Sequence, residues 1–281
     1  MTDELAAAFD ALGNELRVAI IRALIEHRRR SPKDPGLTFS DLFETVGIED
    51  SGRFNYHLDH LRGTFLEHRH GRYQLNLAGL MIAGSVLNGE LGAEGIEAEQ
   101  VLEGACPRCD TPVTARYADG WLRVACANDL LLSTSVPPRV VSDESLDTAV
   151  EFATMKTVQW IEHADQGRCP LCFGSIESRL VNDEAFGQPV YLEQRCAVCG
   201  SIFKHPPGLY VAIQPSVRAV FAADDRPLLD HRLWEIDLFR PSTVEVAETF
   251  PLAVEITADI GPTSVWASID DAGTITGLEI G

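Results

Sequence analysis

The chain has 281 residues, 45% of them hydrophobic, enough for two or three domains with real cores and incompatible with a mostly disordered protein. Asp and Glu outnumber Lys and Arg by 42 to 23, for a net charge of −19. No apolar run approaches the roughly 18 residues of a bilayer span, and the opening MTDELAAAFDALG lacks the basic start of a secretory signal, so membrane and secreted classes are excluded and a cytoplasmic location with no membrane partner is expected.

Acidity is uneven. Residues 1–90 hold 10 Lys and Arg against 13 Asp and Glu, a net of −3, whereas residues 91–281 hold 13 against 29, a net of −16. A front segment spared the general acidity suggests a face that meets a polyanion. In Asn14 to Arg29 the apolar Leu16, Ala19, Ile20, Ala23 and Leu24 recur at helical spacing, with Asn14 as N-cap. Lys33-Asp34-Pro35-Gly36 reads as a loop, and Thr38 to Val46 as a two-turn helix stopped by Gly47. Ser51 is placed to cap a helix from Gly52 to Arg62, whose Phe54, Leu58 and Leu61 face one core. Phe65 to Leu75 reads as two short strands around Gly71, and Leu77 to about Leu87 as a closing apolar helix.

Residues 88–104 combine four glycines with five glutamates and show no strong period, and a hinge is expected at 91–104. Two cysteine modules follow. Cys106 and Cys109 in CPRC precede Cys126, and Cys169 and Cys172 in CPLC precede Cys196 and Cys199 in CAVC. GACPRC aligns with GRCPLC, and each second knuckle is followed by a proline pair, Pro137-Pro138 and Pro206-Pro207, so the region reads as an internal duplication. Helical stretches are expected at Glu144 to Ile161 and Pro215 to Ala223. From Trp234 onward alternating apolar residues predict an antiparallel sheet, with a turn at Asp271-Ala-Gly273.

The order of helices followed by a β-hairpin is that of a winged helix-turn-helix, whose second helix packs on one face and enters the major groove with the other. With Phe54, Leu58 and Leu61 packed, Arg53, Asn55, Tyr56, His60 and Arg62 become candidate DNA contacts, Arg for guanine or phosphate and Asn for adenine. His68, Arg69, His70 and Arg72 form a small basic tip on the hairpin, suited to phosphates. His57, beside Leu58, is equally readable as a partly buried histidine.

ALGNELRVAIIRALIEH, the FNYHLDHL helix and the GRYQLNLAG hairpin end together resemble the ArsR-type winged helix regulators, in the variant common in archaea, over roughly residues 5–88. An abundance of Asp and Glu with only three lysines, Lys33, Lys156 and Lys204, similarly resembles proteins of salt-accumulating archaea, where an acidic surface keeps the chain hydrated. The resemblance implies DNA contacts at Asn55, Tyr56 and His57, and a homodimer formed by the helices at either end of the domain, reading a palindromic site on double-stranded DNA. Metal-sensing members carry cysteines in that domain; here residues 1–105 hold none, which argues against direct sensing there.

Two C-x-x-C knuckles separated by 23 residues supply four thiolates to one tetrahedral zinc ion, and Cys169, Cys172, Cys196 and Cys199 are expected to hold Zn2+ structurally. At Cys106, Cys109 and Cys126 either Asp129 completes a second zinc site through oxygen, or the repeat has lost its metal. No phosphate loop, nucleophile elbow or His-Glu-x-x-His is present, so no enzyme is expected. The expected fold is α+β: a winged helix-turn-helix domain at 1–90, a hinge at 91–104, a degenerate zinc-ribbon-like module at 105–165, a zinc-ribbon module at 166–232, and an antiparallel β tail at 233–281. The function expected is a sequence-specific DNA-binding regulator with the rear region as a structural, effector or interaction module. The alternatives are a factor of the general transcription machinery, as in transcription factor E where a zinc ribbon follows a winged helix, and a scaffold that binds no DNA.

Overall fold

Local sequence signals start and stop the helices of the front unit. In the computed structural model, which describes residues 6, 9–90, 95–183, 187–224 and 226–281, the chain divides into two units, Met1–Ala93 and Glu94–Gly281. Helix α1, Glu15–Arg30, begins where the Asn14 side chain accepts the Leu16 N–H. Helix α2, Phe39–Val46, is capped by Thr38 and ended by Gly47 in the left-handed conformation. Helix α3, Ser51–Leu61, is capped by Asp50, whose carboxylate accepts the Arg53 N–H at 2.9 Å. Asp50, and not the expected Ser51, holds that position, because the helix starts one residue earlier. Strands β1, Leu66–Arg69, and β2, Arg72–Leu75, turn at His70-Gly71, both with positive φ as a two-residue hairpin loop demands. Helix α4, Leu77–Leu87, is capped by Asn76.

The front core gathers Ile20, Leu24, Leu42, Phe54, Leu58, Leu61 and Leu66, each fully buried. Phe39 and Phe43 meet Phe54 edge-on at 5.3 and 5.2 Å, which fixes α3 against α2. Leu37 and Tyr73 exchange backbone hydrogen bonds of 3.0 and 2.7 Å, so the chain entering α2 is pinned to the hairpin.

The rear unit repeats one series of elements. The first pass runs β3 (Ala98–Ala105), β4 (Pro112–Ala118), β5 (Trp121–Ala125), β6 (Leu130–Ser135), α5 (Pro138–Asp143) and α6 (Leu146–Asp165). The second runs β7 (Ile176–Asn182), β8 (Val190–Cys196), β9 (Ile202–His205), α7 (Pro207–Ala212) and α8 (Pro215–Ala223). Pro137 and Pro206 take nearly the same backbone angles ahead of their short helices, φ −57, ψ 135 and φ −56, ψ 139, so the proline pairs do the same structural job in both passes. Strands β10 (Val244–Thr249), β11 (Leu252–Ile260), β12 (Thr263–Ile269) and β13 (Ile275–Ile280) finish the chain. All the named sheets are antiparallel meanders, in the orders β3-β4-β5-β6, β7-β8-β9 and β10-β11-β12-β13, so the class is α+β.

The stretches 105–165, 166–232 and 233–281 share one core: Leu122 and Val124, Ile161 of α6, Leu192, Val217, Trp234, and Ile256 and Val265 of the final sheet all belong to it. The Asp271 carbonyl accepts the Leu180 N–H at 3.0 Å, so the turn between β12 and β13 rests on the second cysteine module. Three local expectations are corrected. Of the expected hinge, residues 91–94 lie outside the described residues, whereas 98–104 are in β3; Leu102 alone is buried there, and Glu99 and Glu103 face outward on an edge strand, which hid the alternation. The long helix covers Leu146–Asp165 instead of starting at Glu144, because Ser145 is its cap. Residues 234–243, expected as strand, lie in short 3-10 turns; Trp234, Ile236 and Leu238 alternate with Glu235 and Asp237 as a strand would, yet with Leu233 and Phe239 they enter the core from successive turns.

Gly208 and Gly84 give opposite tests of this packing. A methyl group on Gly208 would run into the Leu238 carbonyl, a backbone atom that cannot swing aside, whereas one on Gly84 in α4 meets nothing within 4 Å. Gly208→Ala is expected to cost about 1–3 kcal/mol in urea unfolding and Gly84→Ala to stabilise by up to ~1 kcal/mol.

His205, 2% exposed, has Nδ1 3.0 Å from the Pro206 carbonyl and Nε2 3.2 Å from the Gln194 amide. A neutral ring with one N–H fits these neighbours when Nδ1–H donates to Pro206 and the amide turns its NH2 to Nε2. Burial pushes its pKa down to about 4, while the unfolded chain takes up that proton near 6.5. Stability that is complete above the unfolded value is therefore lost as pH falls through that window, by roughly 1–3 kcal/mol. Urea titrations at neutral pH and near pH 4.5 should show a smaller loss for His205→Gln than for the wild type.

Candidate metal centre and nucleic-acid interface

Each cysteine knuckle is a backbone turn before it is a ligand set. The Cys169 N–H reaches the Gly174 carbonyl at 2.9 Å and the Phe173 N–H returns to Cys169 at 2.9 Å; Cys196 repeats this with Ser201 and Gly200, and Cys106 with Thr111 and Asp110. The fifth residue of each turn, Phe173, Gly200 or Asp110, has positive φ. The four sulfurs of Cys169, Cys172, Cys196 and Cys199 lie within 4.8 Å of one another, with Cys169 to Cys199 at 3.7 Å and Cys172 to Cys196 at 3.5 Å. None is in a disulfide. A tetrahedral ion with bonds of about 2.3 Å has its sulfurs about 3.8 Å apart, so the set fits such an ion. The Leu171 N–H points at the Cys169 sulfur, and those of Val198 and Cys199 at the Cys196 sulfur, each at 3.4 Å. A Cβ at Gly174 would sit 2.6 Å from Val198 and 3.2 Å from the Cys196 sulfur, so only glycine lets the two knuckles close.

Hydrogen bonding separates the thiols. The Ser201 hydroxyl, 3.1 Å from the Cys199 sulfur, and the Ser201 amide pull Cys199 down to about 6. Cys172 accepts from the Gly174 amide, which lowers it, yet the neighbouring sulfurs and desolvation outweigh that bond and push it up to about 12. Four thiolates cannot share this space without a positive ion among them.

The first module brings together Cys106, Cys109 and Cys126, again within 4.8 Å, and this trio could also hold a metal ion. Cys109 lies 3.6 Å from Cys126, and the Thr111 hydroxyl at 3.1 Å, with its amide, pulls Cys109 down to about 7. Asp129, one of the two readings for the fourth position, is not in this cluster. Its knuckle closes early, Cys126 N–H to Asp129 carbonyl at 3.0 Å, and its carboxylate pairs with Arg108 at 3.6 Å. Arg108 also donates to the Gly187 carbonyl at 3.3 Å and lies over the Phe239 ring at 5.7 Å. An ion pair with a largely buried arginine thus occupies Asp129. Sequence reading missed Arg108 because its partners lie far along the chain, but the hydroxyl two residues after Cys109 and Cys199 was a visible signal.

In the front unit, α3 turns Phe54, Leu58 and Leu61 inward and leaves Arg53, Asn55, Tyr56, His60 and Arg62 exposed. Asp59 sits among them, accepting from Asn55 at 3.2 Å and from Arg62 at 3.3 Å. Tyr56 and His60 rings lie 4.2 Å apart, and His60 Nδ1 is 2.8 Å from the Tyr56 carbonyl. His57 departs from the expected set: it is buried at 9% exposure, and burial, then Arg17 and Arg53, lower its pKa. On the hairpin, His68 stacks on Tyr73 at 4.3 Å, and Arg69 pairs with Glu67 at 2.8 Å. Arg72 is drawn from the tip, donating to the Gly36 carbonyl at 2.9 Å and pairing with Asp34 at 3.4 Å. The exposed tip is therefore His68, Arg69 and His70. Among the described residues no helix is long and apolar enough to cross a membrane.

Residues 103–275 match a family model described as a domain of unknown function (DUF7351), and residues 5–86 match one described likewise (DUF7347). No curated protein and no solved structure matches the chain.

The two clusters separate under mutation. Cys196→Ser should lower the metal content of purified protein by one equivalent and destabilise the rear unit, whereas Asp129→Asn should leave metal content unchanged. Elemental analysis of protein purified at high salt, alongside thermal unfolding, reads both outcomes.

Proposed function

The chain belongs to the DUF7351 family, and from its own residues we propose that it is a sequence-specific DNA-binding transcriptional regulator of ArsR-like winged helix type with a zinc-bearing rear unit. The observation that carries this is α3: one face is anchored by Phe54, Leu58 and Leu61, and the other offers Arg53, Asn55, Tyr56, His60 and Arg62 to solvent beside a hairpin tip with Arg69 and His70. That is the division of labour a major-groove helix requires. Arg53 makes no ion pair among the described residues, so it is available to guanine or phosphate. Asn55 and Arg62 reach bases or backbone by exchanging their bonds to Asp59. The front segment's net of −3 against −16 behind it favours the same face.

Dimerisation supplies the second half-site. Leu77, Met81 and Leu87 of α4 are exposed at 75%, 68% and 51%, and Val18 of α1 at 37%, an apolar surface of the kind a two-fold partner covers. Zn2+ suits the all-thiolate set of Cys169, Cys172, Cys196 and Cys199, where it would neutralise the thiolates and leave no open position, a structural role. Cys106, Cys109 and Cys126 would hold a second ion with an added ligand from outside the trio. Together with its shared core, this makes the rear unit the effector or interaction module of a cytoplasmic regulator. The acidic, lysine-poor composition fits a salt-rich cytoplasm, in which direct base and shape contacts and cation uptake at the interface replace part of the phosphate attraction.

Footprinting across the genome should find few palindromic sites; marks at most promoters would favour a general transcription factor instead. On one such site Arg53→Ala and Asn55→Ala should each weaken binding by about 1–3 kcal/mol, and affinity should persist into molar KCl. Absence of binding to genomic duplex at every ionic strength, with α3 folded, refutes the regulator.

A further inference from the structure

Strands β6 and β9 are the edges of their sheets, one from each pass of the duplication, and both line a cavity of about 300 Å3 inside the rear unit. Trp121, Trp160, Tyr191 and Phe203 contribute rings to its wall, with Trp160 and Phe203 edge to face at 5.6 Å. A cavity of this size, at the small end for ligand sites, has room for a molecule of one or two rings. Its walls also carry polar groups, with Ser133, Thr134 and Ser135 along β6. The cation in its lining is committed, Lys204 pairing with Asp183 at 3.0 Å and with Glu193 at 3.3 Å, and so is Lys156 behind it, which donates to the Ser135 carbonyl and hydroxyl at 2.7 Å while lying over the Trp160 ring. His205 is buried among Pro206, Gln194 and the Phe203 ring, and burial keeps it neutral. Thr157 differs from these. It lines the cavity at 4% exposure, and its hydroxyl has no hydrogen-bond partner among the described residues. An unmet buried hydroxyl costs about 1–3 kcal/mol, which a ligand that bonds to it returns.

We propose that this cavity, between the edge strands of the two cysteine modules, is a binding site for a small, neutral, aromatic molecule with one hydroxyl or similar hydrogen-bonding group, seated against the edge-to-face pair of the Trp160 and Phe203 rings and bonded to the Thr157 hydroxyl. Aromatic walls select a flat apolar body, the committed lysines give no free charge to an anion, and Thr157 fixes orientation. As the effector input of the regulator proposed above the site rests on that reading; as a binding site it does not.

Calorimetric titration of the metal-replete full chain, without DNA, tests it with 2-naphthol as probe and naphthalene and 2-naphthoate as comparators. The expected result is saturable one-to-one binding of 2-naphthol, weakened about tenfold in Thr157→Val, with naphthalene bound equally by both proteins and 2-naphthoate bound more weakly than 2-naphthol. If Thr157→Val does not fold, the wild-type preference for 2-naphthol over naphthalene takes its place, about tenfold in support and equal affinity against. No saturable binding, an undiminished 2-naphthol affinity in Thr157→Val, or tighter binding of 2-naphthoate overturns the proposal. Because DNA is absent, failure here leaves the DNA reading standing, and failure of DNA binding leaves this one standing.

Discussion

Four thiols held within 4.8 Å of one another cannot all give up their protons unless a cation joins them, and that constraint governs the second half of the rear unit. The backbone has already prepared the place. Three of the four knuckles close with the same pair of hydrogen bonds and the same positive-φ residue, and Gly174 lets two of them approach where any side chain would collide. Cys196 is at once the last residue of β8, paired with Ile176, and a member of the sulfur set, so strand register and ligand geometry are one restraint. Loosening either would displace the edge strand β9, whose Phe203 and His205 border the cavity.

The two modules look alike in their order of elements and differ in their ligand sets. Both passes run knuckle, strand, strand, knuckle, strand, proline pair and helices. In the first pass the fourth knuckle position is Asp129, its turn is shorter, and the carboxylate pairs with Arg108, which also braces Gly187 and Phe239. The position that carries a thiol in the second pass carries here an ion pair that ties the first module to residues of the second pass and of the turns leading to the last sheet. Such a pair is worth keeping only where surrounding packing already supports it. The 20-residue α6, with nine buried residues along it, gives the first module that packing.

How much of this was legible in the chain depended on range. Asn14, Thr38, Gly47 and the His70-Gly71 turn act within four residues, and their elements followed from them directly. The cysteine spacing was equally legible, since two intervening residues make a knuckle whatever surrounds it. The sheet of β10 to β13 followed from alternation in Leu252, Val254 and Ile256 and in Val265, Ala267 and Ile269. What escaped was set at a distance. Asp129 was readable two ways until Arg108 was beside it, Arg72 looked like a free wing cation until Asp34 and Gly36 bound it, and the choice between a buried and a base-reading His57 turned on packing near Arg17 and Arg53. Trp234, Ile236 and Leu238 alternate with acidic residues like a strand, but 3-10 turns feed them into a core shared by three stretches of sequence.

That common interior has an evolutionary consequence. A repeat that stood alone would be lost with its ion, so each of its ligands would be under constant selection. Two modules packed on a single hydrophobic centre shelter one another: either can trade metal for other chemistry while its neighbour keeps the assembly folded. The ion pair of Asp129 with Arg108 is chemistry of that kind.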